Sequence, residues 1–117
     1  MAVLRITANL GTADPTALSA FYAGLFGMDV AMDLGFIVTL QANARQSPQL
    51  SFASQGGSGT PVPDLSIEVD ALDPVLERAR AGELPLEYGP VEEPWGVVRM
   101  MLRDPEGRLV NVLTHKR

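Results

Sequence analysis

The feature that most constrains the fold of this chain is a β-hairpin near its C-terminal end. Two strands, Val97–Arg103 and Arg108–Thr114, are joined by Asp104-Pro105-Glu106-Gly107. Asp, Pro and Gly at the first, second and fourth positions are typical of a type I turn, after which Gly107 can adopt a positive φ as a bulge. Such a turn fixes the register of the two strands.

The register sorts the side chains of the hairpin onto two faces, because successive strand residues point to opposite sides. With Asp104 opposite Arg108, one face is wholly apolar and should lie under a helix. It carries Val98, Met100, Leu102, Val110 and Val112. The other face is mixed and is typical of a pocket wall; it pairs Met101 with Asn111 and Arg99 with Leu113.

Composition narrows the class of protein. The chain has 117 residues, 46% of them hydrophobic, which is enough for one domain with its own core. The net charge of -5 without a basic run argues against a nucleic-acid partner, and the absence of cysteine excludes disulfides and thiolate metal sites. No apolar run has the length of a membrane span, and the N-terminus lacks a signal-peptide pattern, so we expect a cytoplasmic protein without membrane contact.

The first half of the chain predicts one helix among four strands. The helix begins at Asp14-Pro15, carries an apolar stripe that includes Tyr22 as a core residue, and ends at Gly27. Alternating or short apolar segments predict strands over Val3–Leu10, Met28–Leu34, Gly35–Ala42 and Gln49–Ala53.

The second half repeats this plan after a segment rich in Gly, Ser and Pro. A strand over Asp64–Asp70 precedes a helix that opens at Asp73-Pro74 and closes at Gly82, and a short strand over Leu84–Gly89 leads into the hairpin. The order β-α-β-β-β recurs at an offset of roughly 60 residues, which indicates an internal duplication. We therefore predict a single α+β domain over residues 1–117, with module one over 1–54, a linker over 55–63 and module two over 64–117.

In each strand that can be phased, one side is apolar and the other is mixed. If two curved sheets face each other, the mixed sides line a cup. The residues so placed are Arg5, Thr7, Gln49, Ser51, Asp64, Ser66, Arg99, Met101, Asn111 and Leu113. The alternative is that these positions face solvent on an ordinary antiparallel sheet.

Several short motifs resemble one protein superfamily. They are Phe21-Tyr22, Leu25-Phe26-Gly27-Met28, Glu93-Pro94-Trp95-Gly96 and Asp104-Pro105-Glu106-Gly107. In order and spacing they are similar to the glyoxalase/bleomycin resistance protein/dioxygenase (vicinal oxygen chelate) superfamily. The resemblance covers nearly the whole chain and implies two βαβββ modules whose mixed sheet forms a cup, often in a homodimer.

The resemblance also implies where a divalent metal would be held. Its enzymes place four ligands, usually His and Glu, at positions that correspond here to Thr7, Gln49, Asp64 and Asn111. Only one of these is a carboxylate and none is an imidazole, the donors that zinc, nickel and iron prefer. We therefore expect no metal, no other cofactor and no catalytic residue.

These expectations lead to a metal-free protein that binds a small molecule in the cup and sequesters an antibiotic or metabolite. The predicted ligand-binding residues are Thr7, Gln49, Ser51, Asp64, Ser66, Trp95, Arg99, Met101, Asn111 and Leu113. One alternative is a metal-dependent lyase, isomerase or dioxygenase of the same superfamily with non-standard ligands. Another is a scaffold whose duplication serves only oligomerisation.

Four positions leave alternatives open. Trp95 is either a stacking platform for the ligand or a plug that packs on a neighbouring loop. Arg99 either clamps an anionic group or pairs with Asp64 or Glu68. Glu92-Glu93 is typical of a solvated charge pair, which at a cup mouth would attract a cation. His115, the single histidine, is expected at the surface rather than in a catalytic role.

Overall fold

The computed structural model describes residues 1, 4–46 and 48–116. The fold is α+β, as predicted, with two helices and six strands in the described residues. The chain divides into two compact units, Met1–Ser54 and Gln55–Arg117. The elements in chain order are α1 (Pro15–Phe26), β1 (Asp29–Asp33), β2 (Val38–Gln41), β3 (Leu65–Glu68), α2 (Asp73–Ala81), β4 (Leu86–Glu92), β5 (Val97–Arg103) and β6 (Leu109–His115).

The first unit is built around α1, which has the predicted ends. The Asp14 carboxylate accepts a hydrogen bond from the Ala17 amide at 3.0 Å, so it caps amide groups that the first helical turn leaves unpaired. Gly27 ends the helix with a φ of 68°. Tyr22 is 6% exposed, which confirms it as a core residue, and it shares the buried stripe of the helix with Leu18 and Leu25.

Two of the strands predicted in the first unit are wrong. Residues 4–10 and 49–53 form no strand, whereas β1 and β2 pair as an antiparallel two-stranded sheet; Val3 lies outside the described residues. Leu4 is 90% exposed and Phe52 is 91% exposed, so the apolar side of neither segment is buried. An alternation of apolar and polar residues indicates which side of a segment would be buried. A strand also needs a neighbouring strand that forms hydrogen bonds with its backbone.

The second unit has the predicted β-α-β-β-β order. Its sheet has the order β3-β6-β5-β4, in which β3 runs parallel to β6 and the other pairs are antiparallel. The strand β4 extends beyond the predicted Leu84–Gly89 to Glu92. The helix α2 begins at Asp73 without a side-chain cap, since its N-cap is Leu72, and Gly82 follows it with a φ of -85°.

The hairpin of β5 and β6 has the predicted turn and register. Asp104 accepts hydrogen bonds at Oδ1 from the amides of Glu106 and Arg108, both at 2.9 Å, and Gly107 has a φ of 84°. Met101 lies opposite Asn111 and Arg99 lies opposite Leu113, as predicted. The second strand begins one residue later than expected, at Leu109.

The apolar face of the hairpin is buried. Met100, Leu102, Val110 and Val112 are all 0% exposed, and Val98 is half-buried. In the same unit, α2 buries Val75 and Ala79. Both apolar surfaces are therefore shielded from water, which is the expected result when a helix and a sheet pack together. Burial of apolar surface is the main favourable contribution to the stability of such a unit.

Within the described ranges, neither helix has the length and apolar character that a bilayer crossing requires.

Candidate functional site

The mixed face of the second unit is covered, although it carries polar groups. We use the term for the side of the sheet that holds Ser66 on β3, Arg99 and Met101 on β5, and Asn111 and Leu113 on β6. Met101 is 1% exposed, Arg99 3% and Asn111 7%, while Leu113 is half-buried and Ser66 is exposed. At its centre this face is therefore not the solvated side of an ordinary antiparallel sheet.

Asn111 has one satisfied and one unsatisfied amide atom. Its Nδ2 donates a hydrogen bond to Ser66 Oγ at 3.1 Å, across the parallel pair of β6 and β3. Its Oδ1 is buried and has no hydrogen-bond partner within the described residues. Burying a carbonyl oxygen without a donor costs about 1–3 kcal/mol, so this atom needs a physical explanation.

Asp64, which directly precedes β3, forms two hydrogen bonds with the backbone of Leu109. Its amide donates to the Leu109 carbonyl at 2.9 Å, and its Oδ2 accepts from the Leu109 amide at 2.8 Å. The side chain thus continues the pairing of β3 with β6 by one step. This contact gives Asp64 a role in strand pairing that does not depend on a ligand.

Arg99 forms an ion pair, but with a partner that the sequence did not indicate. Its Nη2 lies 2.7 Å from Glu93 Oε2, and its Nε donates to the same oxygen at 2.8 Å. Neither Asp64 nor Glu68 is its counter-ion, so those two candidate pairs are wrong. Glu93 is 5% exposed, which also corrects the expectation of a solvated Glu92-Glu93 pair.

The Glu93 carboxylate receives further hydrogen bonds from neutral donors. Ser58 Oγ lies 3.1 Å from each carboxylate oxygen, and the Tyr88 hydroxyl donates at 3.1 Å to Oε1. Burial raises the pKa of Glu93, but hydrogen bonds from Arg99, Ser58 and Tyr88, with the charge of Arg99, outweigh burial. The pKa of Glu93 therefore lies below its ordinary value of 4.5.

Two aromatic rings enclose the Arg99 guanidinium. Its carbon atom lies 5.1 Å from the centre of the Tyr88 ring and 5.2 Å from that of Trp95, both within the range of a cation–π contact. Nη1 and Nη2 also donate to the carbonyls of Gly56 and Gly57, at 2.8 and 3.0 Å. Protein groups thus accept hydrogen bonds from all three guanidinium nitrogens, and the carboxylate of Glu93 already balances the charge, which leaves little capacity to clamp an anion.

The turn over residues 56–60 packs against this cluster. A Cβ atom at Gly57, whose φ is 89°, would lie 2.9 Å from the Trp95 ring. Trp95 therefore packs on a neighbouring loop, the second of its two alternatives, while it remains 53% exposed. Arg99 therefore ties the Gly- and Ser-rich segment at the start of the second unit to the sheet.

The remaining predicted residues are at the surface. Thr7, Gln49 and Ser51 belong to the first unit, are exposed and lie outside its helix and strands. His115 is exposed as expected, and its Nδ1 lies 2.8 Å from Glu68 Oε2.

The donor set implied by the resemblance does not fit a transition metal. Thr7, Gln49 and Asn111 offer only neutral oxygen, and the Asp64 carboxylate already accepts from a backbone amide. Across residues 1, 4–46 and 48–116, no three His, Cys, Asp or Glu side chains are grouped so that they can hold a metal ion.

Sequence reasoning missed Glu93, Tyr88 and Ser58 as members of the buried cluster. A signal for Glu93 existed, because Pro94 and Gly96 mark a second tight turn between β4 and β5. The Glu93 amide donates to the Val97 carbonyl at 2.8 Å across this turn, so Glu93 lies near the base of the strand that carries Arg99. A buried arginine also demands a counter-ion within reach.

The fold has counterparts among solved structures. TnmS3, an antibiotic binding protein from Streptomyces sp. CB03234, superposes with a TM-score of 0.72 at 17% identity over 99% of both chains. A glyoxalase/bleomycin resistance protein/dioxygenase family enzyme from Burkholderia phytofirmans PsJN superposes with a TM-score of 0.66 at 19% identity, over 92% of this chain and 95% of that chain.

An enzyme with a named activity is also similar. Lactoylglutathione lyase from Agrobacterium tumefaciens gives a TM-score of 0.55 at 23% identity, over 88% of this chain and 86% of that chain. No protein-family model matches the sequence, and a search of curated proteins found no significant match. At these identities the likeness concerns the fold, and the fold occurs with both binding and catalytic functions.

Proposed function

Because the chain has the fold of the glyoxalase/bleomycin resistance protein/dioxygenase superfamily, we propose that it binds a small organic molecule without a resident metal. The observation that carries the proposal is the chemistry of the mixed face, which is covered and partly polar but poor in metal ligands. Sites for small molecules are mostly apolar, with a few polar groups that orient the ligand. Met101, Leu113 and Asn111 supply such a mixture.

The proposed ligand class rests on a protein of the same fold. The antibiotic-binding TnmS3 supports a drug-like or metabolite ligand, which this chain would sequester rather than convert. Within module two, the proposed contacts are Ser66, Met101, Asn111 and Leu113. Trp95, which is 53% exposed, is a further proposed contact. The contributions of Thr7, Gln49 and Ser51 to a shared cup stay a prediction, as do those of Asp64 and Arg99.

The competing function is metal-dependent catalysis, because a lyase and a family enzyme have the same fold. Such chemistry uses the metal as a Lewis acid that stabilises developing negative charge. The single carboxylate among Thr7, Gln49, Asp64 and Asn111 disfavours this function here. A cytoplasmic location also stays a prediction.

We further propose that the protein acts as a homodimer. In the first unit, Leu4, Phe36, Leu50 and Phe52 are between 69% and 91% exposed. Exposed apolar side chains in such number are typical of surfaces that a partner covers. Sedimentation analysis should find a dimer at micromolar concentration, and a monomer under all conditions would contradict this part of the proposal.

A thermal-shift screen tests the function. Protein treated with a chelator is melted in the presence of antibiotics, aromatic metabolites and, separately, divalent metals. A compound that binds only the native state raises the melting temperature by linkage. We expect organic compounds to raise it in the presence of chelator and metals alone to leave it unchanged.

A matched pair of variants locates the binding. Ser66→Trp adds a bulky side chain at an exposed position of the mixed face, whereas Glu77→Trp adds the same side chain at an exposed position of α2. The Ser66 variant should lose the ligand-induced shift and the Glu77 variant should keep it. Equal shifts in both variants would place the ligand elsewhere.

A further inference from the structure

Trp95 rests on a buried charge and yet stays half exposed. The guanidinium carbon of Arg99 lies 5.2 Å from the centre of the indole ring, and Arg99 belongs to the mixed face of the second unit. Trp95 is nevertheless 53% exposed. Because the guanidinium covers one side of the ring, the exposed area lies mainly on the opposite side. The indole thus forms part of the surface above the mixed face.

A tight turn holds one edge of the same ring. A Cβ atom at Gly57 would lie 2.9 Å from Cη2 and 3.1 Å from Cζ2 of Trp95, so an alanine there would push the ring or the turn aside. The next residue, Ser58, has a φ of 52°, a conformation that costs energy in a residue other than glycine. Its hydroxyl lies 3.1 Å from both carboxylate oxygens of Glu93. The carboxylate that pairs with Arg99 therefore also holds the turn against the ring.

The guanidinium under the indole has a fixed orientation. Its Nε donates to Glu93 Oε2 at 2.8 Å, while Nη1 and Nη2 donate to the carbonyls of Gly56 and Gly57. The Tyr88 ring centre lies 5.1 Å from its carbon atom. A planar fork bound at every nitrogen cannot turn without breaking several hydrogen bonds, so the indole lies on a rigid neighbour.

Stability alone does not account for this arrangement. Replacement of a buried ion pair by uncharged residues of similar volume is often neutral or stabilising. The turn has a positive φ at residues 57–59, and one of the three is not glycine. The ring that these groups hold keeps more than half of its surface in water, so its burial contributes little. What the arrangement does provide is an exposed aromatic surface with one orientation.

The surroundings of the ring suit an apolar partner. Leu113 lies directly opposite Arg99 in the register of β5 and β6 and is half-buried, so an aliphatic side chain lies on the same face. The charge of Arg99 is balanced by Glu93. Aromatic rings stack on one another in offset or edge-to-face arrangements. A side chain that is already ordered avoids the entropy cost of immobilisation on binding, which corresponds to about threefold to tenfold in affinity.

We propose that Arg99 and Glu93 are positioning residues of the binding site, which hold the Trp95 ring in one orientation so that its exposed side stacks on an aromatic ring of the ligand. The proposal rests on the small-molecule-binding function argued above and narrows its ligand class to compounds with a flat aromatic ring. Arg99 acts through the ring, and Glu93 acts through Arg99 and the turn.

The first test measures the motion of the ring without any ligand. Trp95 is the single tryptophan, so time-resolved fluorescence anisotropy reports on this ring alone. In the wild type it should rotate with the whole protein, whereas Arg99→Met/Glu93→Gln should add a picosecond-to-nanosecond rotation. The matched control is Arg103→Met/Glu87→Gln, which removes an exposed pair between β5 and β4 and should leave the anisotropy unchanged.

The second test compares two probes of the same shape class. 2-Naphthylmethanol has a flat aromatic body, and decahydro-2-naphthylmethanol is its saturated counterpart. Titration calorimetry on the full chain should show about fivefold tighter binding of the aromatic probe, the value of one stacked pair. In Arg99→Met/Glu93→Gln this preference should fall to less than about twofold, and the Arg103→Met/Glu87→Gln control should keep it.

A third variant separates positioning from a general effect on the fold. Trp95→Leu removes the stacking surface and should abolish the preference for the aromatic probe. Removal of the Arg99–Glu93 pair in this background should then change the preference no further, because both changes act through the ring. Gly57→Ala displaces the ring and leaves the ion pair in place, so it should also lower the preference, whereas Gly59→Ala should not. This pair provides the test if Arg99→Met/Glu93→Gln does not fold.

Each remaining result has a defined meaning. Unchanged anisotropy or an unchanged preference in Arg99→Met/Glu93→Gln overturns the inference and leaves the binding function intact. Equal binding of the two probes by the wild type, or a preference that survives in Trp95→Leu, has the same consequence. Absence of binding by both probes counts against the binding function, and the inference falls with it.

Discussion

Arg99 and Glu93 form a buried ion pair, in which Nη2 and Oε2 lie 2.7 Å apart and the side chains are 4% and 3% exposed. Tyr88 and Trp95 enclose the guanidinium, and two carbonyls of the turn over residues 56–60 accept its remaining hydrogen bonds. The pair therefore joins the β4–β5 hairpin to the segment that begins the second unit.

Removal of one partner should be costly, because it leaves the other charge buried and unpaired. Glu93→Ala should lower the melting temperature by on the order of 10 °C. Glu87→Ala is the matched control, since Glu87 on β4 pairs with Arg103 on β5 at 2.8 Å, with side chains 45% and 43% exposed. An exposed pair contributes little, so this variant should melt within about 2 °C of the wild type. Equal losses in the two variants would contradict the difference in burial.

The pH dependence of stability follows from the direction of the Glu93 pKa shift. The pKa of Glu93 is lower in the folded protein than its ordinary value of 4.5, because hydrogen bonds and the charge of Arg99 outweigh burial. Its contribution to stability is then fully present above pH 4.5 and is lost as the pH falls below that value through the folded pKa. Urea unfolding of wild type and Glu93→Gln should show a constant difference above pH 4.5 that narrows at lower pH. A difference that grows on acidification would show that the shift has the opposite sign.

The Trp95 contact can be tested at two glycines with similar backbones. Gly57 and Gly59 have φ angles of 89° and 79°, so alanine is strained at both positions. A Cβ at Gly57 would meet the Trp95 ring at 2.9 Å, whereas at Gly59 no atom lies within 4 Å. Gly57→Ala should therefore destabilise the protein by about 1 kcal/mol more than Gly59→Ala, and it should shift Trp95 fluorescence. Identical behaviour of the two variants would contradict the packing of this turn.

The two Asp-Pro helix starts should differ in their contribution to stability. Asp14 caps α1 through the Ala17 amide at 3.0 Å, whereas Asp73 is the first residue of α2 and makes no capping bond. Asp14→Ala should cost about 1 kcal/mol in urea unfolding, and Asp73→Ala should cost less than that, through the helix dipole alone. A larger loss at Asp73 would mean that its carboxylate caps α2 in solution.

Local turn and cap chemistry explains what was predictable from the sequence. Asp104, Pro105 and Gly107 specify a turn type without reference to the rest of the chain, and the register of β5 and β6 follows from that turn. Asp14, Pro15 and Gly27 mark the ends of α1 in the same way. These signals act over a few residues, so they survive in a single sequence.

Features that depend on distant parts of the chain were not predictable. The alternation in Leu4–Leu10 and Gln49–Ala53 indicates a buried side but not the neighbour that would pair with the backbone, and the structure gives these residues no strand. The partner of Arg99 depended on the second tight turn, at Pro94 and Gly96, which brings Glu93 to it. The unsatisfied Asn111 oxygen depends on packing around β6 that the sequence pattern does not contain.

Titration calorimetry on chelator-treated protein tests the central claim most directly. The titrant is the organic compound that gives the largest thermal shift, and elemental analysis establishes that the sample is free of transition metal. Metal-free binding predicts saturable heat with a dissociation constant that the addition of zinc, nickel, iron or manganese leaves unchanged. Binding that vanishes on chelation and returns with one of these metals, or a library in which no compound stabilises the protein, would contradict the claim.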